Sequence, residues 1–494
     1  MIMLKNILRI PLLIISLAVI PLSQADARIL GLSGSSPAPA FNFTASAAHI
    51  STPDGGSLLF WGFGDASTAV PQYPGPTLIV NEGDTVTINL TNYLTEPVSM
   101  TFPGLAISSH EAPHFPMGDR TQLKSVTPEA APNGGTQTYT FVADKAGTFY
   151  YQSGSNQPIQ LRMGLFGAII VRPIQNGTSK TITDIDYRFL RGLYTLATGT
   201  TGTGITKTFT QFAYNDGDGS TGYDREYLFI TSDMDPAFHQ WMEFGGTYDI
   251  SKWKANYWFI NGRCGPDTMD MPNVGNLPNQ PYNAMPSMHP GEVLLVRYVA
   301  MGRDLHPFHT HGNHVRIVAT DGNLLSTSAA NPSVTGADLS WLAFTLTQFP
   351  GKTFDGTFTW TGSELNWDAY GHKPGDPLEP YEYLADHGKQ FSPNLPPIND
   401  AGGLPVAQGV APAQAAPVLM PSIETTIGGL FWSGSPYLGS SAPIVPGEGG
   451  FNPSNGFFFM WHSHAERELT NNDIFPGGML TMLGVLPWSA TIVE

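Results

Sequence analysis

Between residues 77 and 90 the chain passes from a short apolar run to a strict two-residue beat. Thr77-Leu78-Ile79-Val80 follows Pro74-Gly75-Pro76, a turn is signalled at Glu82-Gly83-Asp84, and Thr85-Val86-Thr87-Ile88-Asn89-Leu90 then alternates. A period of two predicts a strand, because successive side chains point to opposite faces. Thr138-Tyr139-Thr140-Phe141 repeats the beat, and Gly147 to Tyr151 and Gly167 to Val171 read as further strands. Short strands at this spacing predict a Greek-key sandwich over about 40–172.

A second β unit opens at Glu226-Tyr227-Leu228-Phe229-Ile230 and repeats the plan. Pro290-Gly291-Glu292 followed by Val293 to Arg297 matches the turn and strand at Glu82 to Leu90. Pro350-Gly351-Lys352-Thr353 followed by Phe354 to Trp360 matches Gly134-Gly135-Thr136 and its strand, and Gly456 to His464 parallels Gly147 to Gln152. The chain therefore reads as a tandem pair. Residues 175–224 are rich in Gly, Thr and Asp, nearly pure Thr and Gly from Thr198 to Gly204, and read as a connecting segment of exposed loops. A Pro-, Gly-, Ala- and Ser-rich insert of about 363–450 interrupts the second unit. Trp360, Trp367, Tyr370, Tyr381 and Tyr383 argue that its first half packs on something, whereas Gly402 to Pro421 reads as a linker. The fold class is all-β: domain 1 over 28–174, the connection over 175–224, and domain 2 over 225–494.

Residues 1–27 have the pattern of a signal peptide. Lys5 and Arg9 supply positive charge, Ile10 to Leu22 an apolar run, and Ala25-Asp26-Ala27 a small-x-small cleavage site. Pro11 and Pro21 break the run, which is short for a bilayer span; an uncleaved anchor is the alternative. The expectation is export to the periplasm or outside the cell, with no integral membrane segment after removal. A net charge of −17 argues against nucleic acid and anionic membranes as partners and suits attraction of cations, although an acidic surface also serves plain solubility. The single cysteine, Cys264, rules out an intramolecular disulfide, so stability rests on core burial.

Five histidines fall in two short clusters, His306-Pro307-Phe308-His309-Thr310-His311-Gly312 and Trp461-His462-Ser463-His464. Residues i and i+2 of a strand share a face, so His309 with His311, and His462 with His464, can project together. Two such pairs on adjacent strands converge four imidazoles, a donor set suited to copper, zinc, iron or nickel. The structural alternative is histidines hydrogen-bonded in a turn. Two weaker candidates are His110 with His114, and Met271, Met285 and Met288 with His289 as soft ligands for Cu(I); solvated loop histidines and flexible apolar packing are their ordinary readings.

The first cluster is similar to a copper motif of the multicopper oxidases, a family that includes laccases, and Trp461 to Met479 resembles that family's last copper motif. Pro74 to Asn92 and Gly147 to Val171 resemble the opening and close of its first domain. The resemblance implies cupredoxin-like domains, copper as cofactor and a homo-oligomer. It assigns His306 to the blue type 1 copper, and His309, His311, His462 and His464 to the three-copper cluster. Ser463 stands where the family has its Cys, and Glu468 where it has the distal His. In the first domain, the family's His-x-His-Gly falls near Thr101 to Leu105 and its His-Ser-His near Gln152-Ser153-Gly154, with every histidine replaced. Half of the cluster's histidines are therefore missing.

A Ser hydroxyl is hard and stays protonated at neutral pH, so no blue copper centre is expected. The expected function is binding of a metal ion through His309, His311, His462 and His464, with His306 and Glu468 near by. Copper is favoured and zinc competes. The alternatives are a copper-dependent oxidoreductase acting on metal ions or small organics at a rearranged site, and a metal-free cupredoxin scaffold that binds a partner.

Overall fold

A computed structural model describes residues 29–107, 125–183, 206–360, 457–486 and 491–492, with the strand backbone at 398–399 and 405–406. The expected leader, His110 and His114, the Thr198 to Gly204 run, and the insert apart from those two short strands lie outside the described residues.

The first β-sandwich is built from β1 (Ala40–Ser51), β2 (Ser57–Asp65), β3 (Leu78–Asn81), β4 (Thr85–Asn92), β5 (Gly135–Val142), β6 (Gly147–Gln152) and β7 (Phe166–Arg172). One sheet runs β2-β1-β4-β5 and ends on the short strand Ala106–Ile107; the other runs from Leu32–Ser33 through β3-β7-β6. The period-two beat of β4 has its expected cause: Val86, Ile88 and Leu90 are fully buried while Thr85 and Asn89 face solvent. Phe43, Phe63, Val80, Ile88, Phe141, Tyr151 and Ile169 close the two sheets on one core. A helix, α1 (Gln157–Met163), follows β6; the sequence reading missed it because it is barely two turns long.

The second sandwich contains β8 (Arg225–Met234), β9 (Tyr257–Ile260), β10 (Ser287–Met288), β11 (Val293–Ala300), β12 (His306–Thr310), β13 (Val315–Thr320), β14 (Thr345–Gln348), β15 (Thr353–Thr359), β16 (Phe457–Ser463) and β17 (Leu480–Val485). Its larger sheet runs β9-β8-β11-β15-β13, and its smaller one β10-β17-β16-β12-β14. Parallel pairing of β8 with β11, and of β1 with β4 in the first sandwich, makes both units mixed sheets with crossovers. A second helix, α2 (Pro236–Phe244), starts at Asp235, whose side chain accepts the Ala237 N–H.

The two sandwiches share an apolar seam in which Phe60, Tyr73, Phe166 and Ile170 meet Leu228, Ile230, Phe259, Val299 and Cys264. Cys264 is buried there, with its thiol directed at Trp258 O, 3.4 Å away, and burial pushes its pKa up. Beside the seam, Arg297 Nη1 donates to Thr148 Oγ1 at 3.0 Å, and Thr148 donates to Asp355 Oδ1 at 2.5 Å. Glu226 pairs with Arg172 and Arg297. The expectation of exposed loops across 175–224 is corrected for its described parts. Lys180–Thr183 and Thr206–Phe209 form a hairpin, and Phe209, Phe212, Tyr214 and Tyr223 are buried against Val293 and Val318. The Gly- and Thr-rich composition hid these aromatics, whose burial supplies the anchoring free energy.

Candidate metal centre

The two histidine clusters lie on neighbouring strands. β12 and β16 pair antiparallel with His309 opposite His462 and Thr310 opposite Trp461. Because side chains alternate, His309 and His311 share one face of the sheet with His462 and His464. His311 Nε2 and His462 Nε2 are 3.2 Å apart. One ligand atom from each of His309, His311 and His462 falls within 4.8 Å of the others. The His464 ring stands 4.9 Å from that of His309 and 5.9 Å from that of His462, centroid to centroid. Two metal–nitrogen bonds of about 2.0 Å reach across at most about 4 Å, a span that the His311–His462 pair meets as it stands, and imidazoles are donors that suit copper.

Neighbouring groups fix how these rings face. His462 Nδ1 lies 2.7 Å from the Ser463 carbonyl, which can only accept, so Nδ1 carries the proton and Nε2 presents its lone pair to the cluster. His309 Nδ1 pairs with Thr345 Oγ1 at 2.6 Å. The fully buried Trp461 donates from Nε1 to the His311 carbonyl at 3.0 Å. Gly312, at φ +97°, lies two residues past the end of β12; a Cβ there would sit 3.0 Å from the Phe459 ring. Desolvation and the neighbouring rings hold His309 and His462 down to about 4. Both are therefore neutral, metal-ready ligands at pH 7. The cluster opens to solvent through the exposed His464, and Phe344, 53% exposed, packs edge-on against His309.

His306 and Glu468 lie elsewhere. His306 precedes His309 by three positions, an odd offset, so its ring faces the opposite side of the sheet, where it is fully buried. Its Nδ1 is 3.0 Å from Glu468 Oε2, and Ser463 Oγ donates to that same oxygen at 2.6 Å. On the far side, His306 Nε2 is 3.4 Å from Asp233 Oδ2, itself held by the N–H groups of Arg303 and Asp304 at 2.9 Å. Burial alone would lower the pKa of His306, but the two carboxylates outweigh it and push it up to about 9. The ring is thus an imidazolium clamped between two acids. Ser463 offers a hydroxyl and Glu468 a carboxylate beside the His306 ring, a set with no soft sulfur donor among these residues.

In the first sandwich, the segments that resemble the family's ligand motifs hold no imidazole among the described residues. Thr101 and Gln152 exchange backbone hydrogen bonds at 2.8 and 3.1 Å. Around them Ser99, Ser125, Ser153, Ser155, Glu129 and Gln160 close a network of hydroxyl, carboxylate and amide groups. Its soft or imidazole donors are nil among the described residues named. The methionine set from the sequence does not assemble: Met288 is fully buried in the main core, while Met285 packs on a separate patch with Met269, Met460 and Met482. His289 is buried, with Nδ1 3.0 Å from Leu486 O. Asp233 and Thr345 escaped the sequence reading, and Trp461, quoted there as the start of the second cluster, was given no role. Asp233 carried no signal of its own, since β8 also holds Arg225, Glu226, Thr231 and Ser232, and Thr345 becomes visible only through strand register.

Residues 65–176 match the family model described as multicopper oxidase. An L-ascorbate oxidase of Cucumis sativus is 39% identical over 103 residues, 21% of this chain and 16% of that protein. A laccase of Aspergillus fumigatus is 32% identical over 108 residues, 22% of this chain and 17% of that protein. The aligned stretch thus spans about a sixth of the relatives' length. The blue copper oxidase structure from Nitrosomonas europaea has 17% identity over 90% of this chain and 85% of that one, with a TM-score of 0.47, too low to transfer any residue's role. The family match lies in the first sandwich, whereas the imidazole cluster lies in the second.

Proposed function

We propose, from the premise that this chain is multicopper-oxidase-like, that it is an exported protein that binds copper at His309, His311, His462 and His464 without a blue type 1 site. Residues 1–27 would be the leader, and 28–174 and 225–494 the two domains. One observation carries the reading: His309, His311 and His462, from two paired strands, each bring a ligand atom within 4.8 Å of the others. A copper ion there supplies Lewis acidity and one-electron redox chemistry. The protein's own part is to hold the rings: Thr345 and the Ser463 carbonyl orient His309 and His462, and Trp461 anchors the strand that bears His311. Full laccase-type turnover is not part of the proposal, because Thr101, Gln152 and the serine network take the place of the first-domain ligands.

Copper-loaded protein should hold the ion stoichiometrically, give a paramagnetic resonance spectrum with nitrogen hyperfine structure, and lack intense blue absorption. His309→Ala with His464→Ala should abolish uptake; unchanged copper content in that variant would remove the reading. The open side of the cluster, where Phe344 and His464 meet solvent, favours a second reading as a mononuclear copper oxidoreductase. Oxygen consumption with phenols, Mn(II) or Fe(II) separates the two, since a pure binder gives no copper-dependent rate.

A further inference from the structure

The sheet face that bears the imidazoles does not end with them. His309 stands opposite His462, which stands opposite Leu480. In the next row, Met460 is paired with Met482, and the His311 N–H donates to the Met460 carbonyl at 3.3 Å. Directly opposite residues on one face of a sheet have Cβ atoms about 5 Å apart. His311, Met460 and Met482 therefore form one cross-strand row. Met285 precedes by two residues Ser287, which pairs with Gly484, so it extends the row on the far side of Met482. Met269 completes a patch in which Met269, Met285 and Met460, each partly exposed, pack with Phe458 and Leu469 against Leu480 and Met482.

The patch is preorganised by its backbone. Thr268 Oγ1 donates to Leu480 O at 2.5 Å, the Ala284 N–H donates to Thr268 O at 2.8 Å, and Thr481 Oγ1 donates to Ala284 O at 2.7 Å. These bonds tie the residue before Met269 and the residue before Met285 to β17, which bears Met482. Leucine would fill the same volume. What four thioethers add is soft, neutral donor capacity, which selects Cu(I) over hard cations.

We infer that Met460, Met482, Met285 and Met269 form a Cu(I) site contiguous with the imidazole cluster, with His311 at their shared edge. The assignment of copper as the metal rests on the proposed function; the packing of the four methionines on one patch does not. The test is anaerobic titration of the full chain with Cu(I) against a chromogenic chelator, together with copper-edge X-ray absorption. Wild type should show sulfur scatterers. Met460→Leu with Met482→Leu, which conserves core volume, should bind Cu(I) at least tenfold more weakly and lose sulfur scattering. The same variant should retain the Cu(II) resonance signal of the imidazoles, which reports an intact fold. Met482→Leu alone should give a smaller loss of the same kind. Cu(I) bound by wild type through nitrogen and oxygen only, or undiminished in the double variant, would overturn the site. Wild type that takes up no Cu(II) yet binds Cu(I) through sulfur would sink the imidazole reading and leave the thioether site standing.

Discussion

Glu468 is where single residues decide most. Its Oε2 receives Ser463 and faces His306 Nδ1, so one carboxylate oxygen ties β16 to β12 beneath the imidazole cluster. With His306 raised to about 9 in the folded protein against about 6.5 unfolded, the clamp stabilises fully below pH 6.5. That contribution fades as pH rises through 9, because the folded state then gives up a proton that the unfolded state has already lost. Urea midpoints measured from pH 6 to pH 9.5 should fall for wild type, and Glu468→Gln should flatten that slope. Restoring the family's ligand types is a sharper check. Ser463→Cys with Glu468→His should create an intense visible thiolate–Cu(II) band, whereas Ser463→Cys alone should not, because the carboxylate still fills the position.

At the scale of elements, β12 and β16 place the chemistry and Trp461 locks them together. Its indole is fully buried against Phe229 and Phe358 and holds the His311 carbonyl. Trp461→Ala should lower unfolding free energy by about 3–5 kcal/mol, read by chemical denaturation. β14 contributes Thr345 to His309. Thr345→Val keeps the shape and removes the hydroxyl, and should weaken copper binding by about 10–100-fold in a competition titration with little change in stability. Since His309 and His462 stay neutral down to about 4, their readiness for metal should persist well below pH 6 and fail only as those rings protonate. The pairs His309/His311 and His462/His464 were legible as i, i+2 patterns. Thr345 was not, because its strand carries no chemical motif of its own.

For the whole molecule, the seam between the sandwiches combines apolar packing with a buried ionic web, and the web is the more fragile part. Arg297 has no exposed side-chain surface and meets Glu226 at 3.2 Å and Asp355 at 3.4 Å. Removing one partner of a buried pair strands the others' charge, a cost of about 3–5 kcal/mol. Arg297→Ala should therefore lower the thermal midpoint and raise protease cleavage in both sandwiches, because Thr148 of the first and Asp355 of the second lose a shared donor. A drop confined to the second sandwich would show that the seam does not couple them.

The amino-acid sequence alone determined the local and periodic properties of this protein. Alternation in stretches such as Thr85 to Leu90 dictates strands, the two His-x-His pairs dictate shared faces, and the Ser463 and Glu468 substitutions declare a changed pocket. Those follow from a two-residue repeat and from donor chemistry, both of which act over a few bonds. Tertiary structure alone decided what lies opposite what. Register set His309 against His462 and Met460 against Met482, and turned His306 away toward Asp233. Partners drawn from positions 162 residues apart, as His306 and Glu468 are, leave no local pattern, because contact between distant segments is settled by how whole sheets pack.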